Sequence, residues 1–303
     1  MLDLTRLRVL VALARTGSVT AAARALHYSQ PSVSHHLSRL EAETGAKLVQ
    51  RAGRGVRLTE AGRKLAERGA EILGRLDAAE TELAAHVGLR QGRVRMAAFP
   101  SALGTFVPAA VTKLAAAYPG LELRLTEAEP PEAVRMLRAG HVDVAVIFRY
   151  DDSAPEADSV RMHPLLEDPT YVVSAAGPDG PPTTELAAYA DTPWIAGCDR
   201  CRLHLLKLCD AAGFEPAISF TTEDFVAVQA MVAAGLGVTT LPGLALVAAR
   251  NPGVQAAALP DSTRYVLAAT YGEPPDPPAT AALLDSLTEA AAPVTAEGTA
   301  SGR

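Results

Sequence analysis

Apolar residues recur every third or fourth position from the start of the chain to about residue 89, then give way to short apolar runs separated by helical stretches. Leu7, Leu10, Val11 and Ala14 give a first helix one apolar face. Ser18 is a good N-cap, and Thr20 to Leu26 forms a second, alanine-rich helix small enough for close packing. His27 and Tyr28 interrupt it, and Ser29 caps a third helix with Gln30 and Pro31 in its first turn. In that third helix Val33, Leu37 and Leu40 form a core-facing stripe, while Gln30, Ser32, Ser34, His35, His36 and Arg39 make a polar opposite face. The pattern then switches to two short strands, Lys47–Arg51 and Val56–Thr59, around the glycine turn Ala52-Gly-Arg-Gly55. From Thr59 to about Leu89 the helical period returns, with Leu65, Ile72, Leu76 and Leu83 on one face and charges between them; Gln91-Gly92 ends that run. A stripe this long is buried only against a partner, and a second copy of the helix is the expected one.

Beyond residue 92 strands and helices alternate. Val94–Phe99, Leu121–Leu125 and Val142–Phe148 read as strands around helices Leu103–Tyr118 and Pro130–Ala139. The pattern restarts after Pro164 with Tyr171–Ser174, Trp194-Ile195, a helix near Arg200–Ala212, and Ile218–Thr221. Helix Phe225–Ala234 and strands Val238–Leu241, Val254–Ala258 and Tyr265–Thr270 follow, with a closing helix near Ala279–Ala291. Such alternation predicts an α/β class with mostly parallel sheets, and two runs of it suggest two lobes with a cleft between them. Phe225 to Ala249 carries no charge, but its glycines and Pro242 fall at element boundaries, so it reads as helix, strand and helix of an α/β domain and not as a membrane span.

Charge changes the picture at the start of the chain. Residues 1–65 hold 11 Lys and Arg against 4 acids, a local charge of +7, leaving −13 for the rest of a chain whose net charge is −6. A basic head on an acidic body suits a phosphate backbone. The three-helix head with its wing then reads as a winged helix-turn-helix, not as a hairpin with a merely solvated face. Recognition helices reach successive major grooves only when held about 34 Å apart, so this reading requires a dimer. Three cysteines in 303 residues argue against a disulfide framework. No basic segment followed by an apolar run opens the chain, and a cytoplasmic location is expected.

The segments Ala21-Ala22, Ser29-Gln-Pro-Ser-Val-Ser34, Leu40-Glu41, Gly45, Lys47-Leu48, Arg51 and Leu58-Thr59-Glu-Ala-Gly62 resemble the signature of LysR-type transcriptional regulators. The likeness runs without a gap over the first sixty-odd residues, with one departure: Val49 stands where the family usually has an aromatic residue, which would loosen packing under the wing. The resemblance implies a winged helix-turn-helix over residues 1–58, a linker and dimerisation helix over 59–91, and a periplasmic-binding-protein-like effector domain over 92–292. Within it, lobe I would comprise 92–161 and 266–292 and lobe II 162–265, with chain crossings near Arg161–His163 and Arg264-Tyr265; residues 293–303 read as a flexible tail. It further implies a homodimer that assembles into a homotetramer on double-stranded DNA with an imperfect dyad, under a small-molecule effector.

Thr20, Ser29, Gln30, Pro31, Ser32, Ser34, His35 and Arg39 are the expected contacts to bases and phosphates, and Arg51, Arg54 and Arg57 would hold the wing to the backbone or minor groove. Ligands of open α/β sheets sit beyond the carboxyl ends of strands. That rule selects Pro100, Ser101, Ala102, Phe148, Arg149, Gly197, Cys198, Arg200 and Thr222, and the two arginines suggest a small organic anion. Cys198-Asp-Arg-Cys201 at a helix start admits redox sensing, and with His204 and Cys209 a metal, although the spacing fits no standard zinc pattern. No hydrolase, phosphate-loop, metalloprotease or dinucleotide motif is present, so neither an enzyme nor a cofactor is expected. The competing class is a two-lobed binding protein or enzyme whose basic head docks, without sequence preference, on RNA or another acidic partner.

Overall fold

The structure, a computed structural model, describes residues 2–52, 55–86, 92–150, 160–177 and 182–300. The chain divides into two compact units, Met1–Arg93 with Arg135–Asp143, and Val94–Val134 with Val144–Arg303.

The first unit opens with α1 (Leu4–Thr16), α2 (Val19–Ala25) and α3 (Gln30–Thr44). Each begins on the side-chain cap that its sequence offers: Asp3 accepts from the Arg6 amide at 3.0 Å, Ser18 from Ala21 at 3.1 Å and Ser29 from Ser32 at 3.3 Å. Gly17 and Gly45 close α1 and α3 in the left-handed conformation. Leu7, Leu10, Leu13, Ala22, Val33, Leu37 and Leu40 are buried together. The wing follows as β1 (Val49–Ala52) and β2 (Gly55–Leu58), antiparallel with Val49 opposite Leu58. Val49 is half-buried against this core, so the aliphatic side chain fills the place under the wing. Then α4 (Glu60–His86) runs out, packed on α1 through Ala66 and Gly69; a Cβ at Gly69 would lie 2.8 Å from Leu7. Further along, Ile72 is 44% and Leu83 67% exposed. The expected end at Gln91 lies outside the described residues.

Glu41 ties α3 to the wing. Its Oε1 accepts from the amides of Leu48 (2.9 Å) and Val49 (3.2 Å), and its Oε2 pairs with Lys47 at 3.1 Å. Burial pushes its pKa up, but the Leu48 amide, Lys47 and the Val49 amide outweigh that and leave it lowered. Glu41→Ala strands two amides and should cost the head about 1–3 kcal/mol. Because the folded-state pKa is lowered, the contribution is full above about pH 4.5 and is lost as pH falls below it. Urea midpoints of wild type and variant should differ less at pH 3.5 than at pH 7; a constant difference would refute the role.

The second unit contains β3 (Arg93–Ala98), α5 (Pro100–Leu103), α6 (Phe106–Ala117), β4 (Glu122–Glu127), α7 (Pro130–Arg138), which begins in it, and β5 (Val144–Arg149). These precede β6 (Val160–Ala175), β7 (Trp194–Ala196), α8 (Asp199–Ala211), β8 (Ile218–Thr221), α9 (Phe225–Ala233), β9 (Val238–Pro242) and α10 (Gly243–Ala248). The unit ends with β10 (Val254–Tyr271) and α11 (Pro278–Ala300). One eight-stranded sheet runs in the order β4-β3-β5-β10-β6-β9-β7-β8. Strands β3 and β5 are parallel, as are β7 with β8 and with β9, but β10 is antiparallel to both β5 and β6.

The sheet is therefore mixed, and its centre differs from the expected mostly parallel pattern. Tyr171–Ser174 is the end of a 16-residue strand, and the two segments Val254–Ala258 and Tyr265–Thr270 are one 18-residue strand. Pro164, Pro169 and the turn-forming Pro260-Asp261 hid this continuity. The register shifts at Ala258/Thr263 and at Val266/Leu267, where Pro169 and Pro164 stand opposite, so the missing N–H groups cost no regular ladder bond. Both long strands serve two lobes. Arg161–His163 pair with Thr270–Ala268 of β10, whereas Thr170–Val173 pair with β9. On β10 the irregular step 259–262 lies just before Arg264. The expected helix Leu103–Tyr118 is split, α5 ending before Gly104 and α6 starting at Phe106. The end expected to be irregular from Pro293 is helical to Ala300, since the alanine-rich turn before Pro293 tolerates one lost backbone bond. Among the described residues no helix is long and apolar enough to cross a membrane.

Candidate nucleic-acid interface and inter-lobe cleft

On the first unit, α3 buries Val33, Leu37 and Leu40 and turns Gln30, Pro31, Ser34, His35 and Arg39 outward, with Ser32 half-buried. Position on the helix decides this, because the stripe at i, i+4 and i+7 leaves the intervening residues facing water. Gln30 Nε2 donates to Thr20 Oγ1, so the exposed Thr20 at the start of α2 and the first turn of α3 form one polar patch. Ser29 is exposed but its hydroxyl is occupied as the cap of α3. His27, at φ +56°, makes the sharp turn between the two helices, and Tyr28 stacks on His36 with centroids 5.7 Å apart. Arg51 and Arg57 are exposed on the wing strands, opposite Val56 and Gln50. Arg54 lies outside the described residues.

On the second unit the two lobes meet around Arg264, which is 2% exposed. Its Nε donates to Asp168 Oδ2 at 2.8 Å and its Nη2 to Ser101 Oγ at 2.8 Å. The rings of Phe99 and Phe148 cover it, with centroids 4.9 and 4.4 Å from the guanidinium carbon. Asp168 Oδ1 in turn accepts from the Leu244 amide at 3.0 Å, at the start of α10. Burial works against the Arg264 charge, and the Asp168 carboxylate more than restores it, so the guanidinium stays charged.

A cleft opens beside this pair. Pro100, Ser101, Phe148, Gly197, Cys198 and Thr222 line it, together with Arg264, Glu129, Cys201, Glu223, Phe225 and Thr240. Ala102, Arg149 and Arg200 are not among the lining residues; Arg200 Nη1 donates instead to the Phe148 carbonyl at 3.3 Å. The space inside that water-sized groups can occupy is about 50 Å³. Burial, reinforced by the charge of Glu223, holds the Glu129 carboxyl above the usual carboxylate range, and its Oε2 is buried with no hydrogen-bond partner. Cys198 caps α8, and its sulfur lies 2.7 Å from that of Cys201. Next to them Tyr150 stacks on His204 with centroids 3.8 Å apart, and His204 bonds Ser262 Oγ at 2.9 Å. Burial, helped by Lys207, lowers the His204 pKa to about 4, so this ring is neutral at pH 7. Among the described residues no group of three or more His, Cys, Asp or Glu could hold a metal ion.

Sequence reasoning placed six of its nine cleft residues on the wall and missed Arg264 and Glu129 as wall residues. Arg264 follows a polar interruption of β10 that looked like a crossing loop, and Glu129 precedes Pro130-Pro131 at the start of α7. Neither position carries a local signal of burial.

Residues 4–63 match the family model described as "Bacterial regulatory helix-turn-helix protein, lysR family", and residues 88–292 match the "LysR substrate binding domain". The probable HTH-type transcriptional regulator LrrA of Synechococcus elongatus is 29% identical over 98% of this chain and 100% of its own. The hydrogen peroxide-inducible genes activator of Dickeya chrysanthemi is 28% identical over 81% and 80% of the two chains. Among solved structures, full-length OxyR C199D from Pseudomonas aeruginosa superposes with a TM-score of 0.69 at 25% identity, covering 95% of each chain. CbnR complexed with its target DNA shares the fold at a TM-score of 0.65 and 23% identity, covering 95% of this chain and 100% of that one.

Proposed function

The chain belongs to the LysR family of transcriptional regulators, and from that premise we propose that its first unit reads an imperfect DNA dyad as one half of a dimer. The observation that carries this is the outward face of α3: Gln30, Ser34, His35 and Arg39 stand exposed on the helix whose other side is fully packed. Such side chains suit base edges and phosphates of the major groove. Arg51 and Arg57 would hold the wing to the backbone. Dimerisation uses α4, whose exposed Ile72 and Leu83 need cover from a second copy, and two dimers make the tetramer. We take residues 1–58 as the DNA-binding part, 59–91 as the linker and 92–292 as the effector domain, working in the cytoplasm.

Effector control is assigned to the inter-lobe cleft. An organic anion gripped by Arg149 and Arg200 finds no support there, because neither lines the cleft and the lining Arg264 is already neutralised by Asp168. The effector reading rests instead on Ser101, Thr222, Glu129 and the two thiols. A ligand seated there shifts the balance between two lobe packings by its difference in affinity for them.

The test is a footprint of the purified protein on the DNA upstream of its own coding region, with competitor DNA at physiological salt. Protection of a dyad with half-sites about one helical turn apart is expected. Arg39→Ala and Arg57→Ala should each weaken binding about tenfold, with Arg39→Ala also relaxing sequence preference. Salt-labile binding without a footprint, or unchanged affinity in both variants, would overturn the reading.

A further inference from the structure

The first unit carries a concavity of its own, which effector control in the cleft does not use. Its walls are apolar, with Val11 from α1, Val56 and Leu58 from β2, and Ala66 and Ala70 from α4. The space that water-sized groups can occupy is about 550 Å³, against about 50 Å³ in the cleft. Arg15, Arg57 and Arg63 stand exposed on its rim and outnumber Glu67, the one carboxylate among the described lining residues. We propose that this concavity binds a small amphipathic organic anion, an apolar ring or chain carrying one carboxylate or sulfonate, and that the bound anion weakens DNA binding.

Local sequence builds the pocket. Helix α1 ends at Gly17 in the left-handed conformation, which turns the chain away and leaves Ala14 and Arg15 uncovered in the last turn. Val56 and Leu58 alternate with exposed residues along β2, so both stay half-buried toward the head. On α4, Ala66 and Ala70 lie one turn apart, and their small side chains leave a hollow that longer ones would fill.

The rim supplies unmatched charge. Among the described residues none of its three arginines pairs with a carboxylate, whereas their neighbours on α4 do, Lys64 with Glu60 and Arg68 with Glu71. Arg63 Nη1 donates to the Leu58 carbonyl at 3.3 Å, which leaves its other donors to the pocket mouth. A guanidinium fork matches a carboxylate or sulfonate, and its stem can lie along hydrocarbon. A DNA phosphate would answer the arginines but bring nothing apolar for the walls. A neutral hydrocarbon would fill the walls and leave the charges unmatched. Only a ligand with both halves uses the whole site, and about 550 Å³ lies within the roughly 300–1,000 Å³ of small-molecule sites.

Arg57 couples the site to DNA. It stands on this rim and is also the wing residue that would hold the DNA backbone, so an anion in the pocket and a phosphate outside compete for it. Each ligand then lowers the affinity of the other by the same factor. This consequence rests on the DNA-binding reading; the pocket does not.

The probe is anilinonaphthalene sulfonate, whose emission rises on leaving water, compared with N-phenylnaphthylamine, the same rings without the sulfonate. On the full-length protein without DNA, the sulfonate should occupy one site per chain and bind about tenfold more tightly than the neutral dye at low salt, with the gap narrowing as salt rises. Arg15→Ala and Arg63→Ala should each weaken sulfonate binding about fivefold and leave the neutral dye unmoved, with Arg15→Lys close to wild type, a split that general loosening of the head would not produce. Ala14→Phe, at an exposed lining position, should fill the pocket and abolish binding of both dyes. Helical circular dichroism reports that each variant is folded. On duplex that gives a footprint, saturating sulfonate should weaken DNA binding about fivefold in wild type and not at all in Ala14→Phe. Equal affinities for the two dyes, sulfonate binding that survives Ala14→Phe, no dye binding because a second copy of the chain covers the groove, or DNA affinity unmoved by bound sulfonate would overturn the proposal. Dye binding with these variant effects but no footprint would sink the DNA-binding reading and leave the pocket standing.

Discussion

Replacing Arg264 by methionine should destabilise the second unit by about 3–5 kcal/mol, because the Asp168 carboxylate would remain buried without its charge partner. Both side chains are 2% exposed, so solvent screens neither. The loss spreads further, since Ser101 loses its donor and the space between Phe99 and Phe148 changes shape. Arg264→Met combined with Asp168→Asn should recover a large part of the loss, as the neutral amide oxygen still accepts from Leu244 and no buried charge is left over. Trp194 emission in a urea titration measures this unit alone, the midpoint falling without a change in slope. A single-variant loss under about 1 kcal/mol, or a double variant worse than the sum of its parts, would mean that the pair does not hold the lobes at β6 and β10. The same pair explains why two long strands meet at an irregular step: the carboxylate at Asp168 and the guanidinium at Arg264 need their backbones adjacent where the register slips.

Gly62→Ala should be the most damaging small substitution in the head. A Cβ at Gly62 would stand 2.0 Å from the Leu48 carbonyl oxygen and 3.0 Å from its carbon, both backbone atoms with no rotamer to change. That carbonyl already accepts from the Thr59 amide at 3.0 Å, and Thr59 Oγ1 both donates to the Lys47 carbonyl at 2.7 Å and accepts from the Gly62 amide at 3.0 Å. Pushing the first turn of α4 away from Leu48 breaks this knot, at a cost of about 3 kcal/mol or more. Gly45→Ala is the control, since nothing lies within 4 Å of its Cβ and only the left-handed backbone, at φ +67°, is strained, for about 1 kcal/mol. Thermal unfolding followed by helical circular dichroism should show the head melting earlier in Gly62→Ala while the Trp194 transition stays in place. Footprinting at ambient temperature should lose protection in parallel. An unmoved head transition would show that the wing and α4 can separate freely.

The head was legible in the sequence because its determinants are local. Stripes at Val33, Leu37 and Leu40, caps at Ser18 and Ser29, a proline in the first turn of α3, and glycines at 17 and 45 each act within a few residues of where they stand. Their physics is that of one helical turn, and sequence spacing carries it directly. Even the wing, with its glycine turn, needed no distant partner to be read.

The cleft was legible only in outline. Strand ends pointed to Ser101, Phe148, Cys198 and Thr222, since topology alone puts such residues at a lobe boundary. What made the site was decided elsewhere. Asp168 and Arg264 lie 96 positions apart and Ser101 and Arg264 163 apart, and nothing near any of them in the chain marks it as buried. A charge enters a core only when its partner arrives with it, so its burial is a property of the pair. The continuity of the two long strands was hidden for the same reason: the prolines and polar residues that look like breaks are tolerated at bulges whose register is set by the opposite strand. Local hydrogen bonding and periodicity thus fixed the helix-turn-helix from the sequence by itself, and long-range pairing of charges and strands, which only the tertiary structure could bring together, decided the cleft.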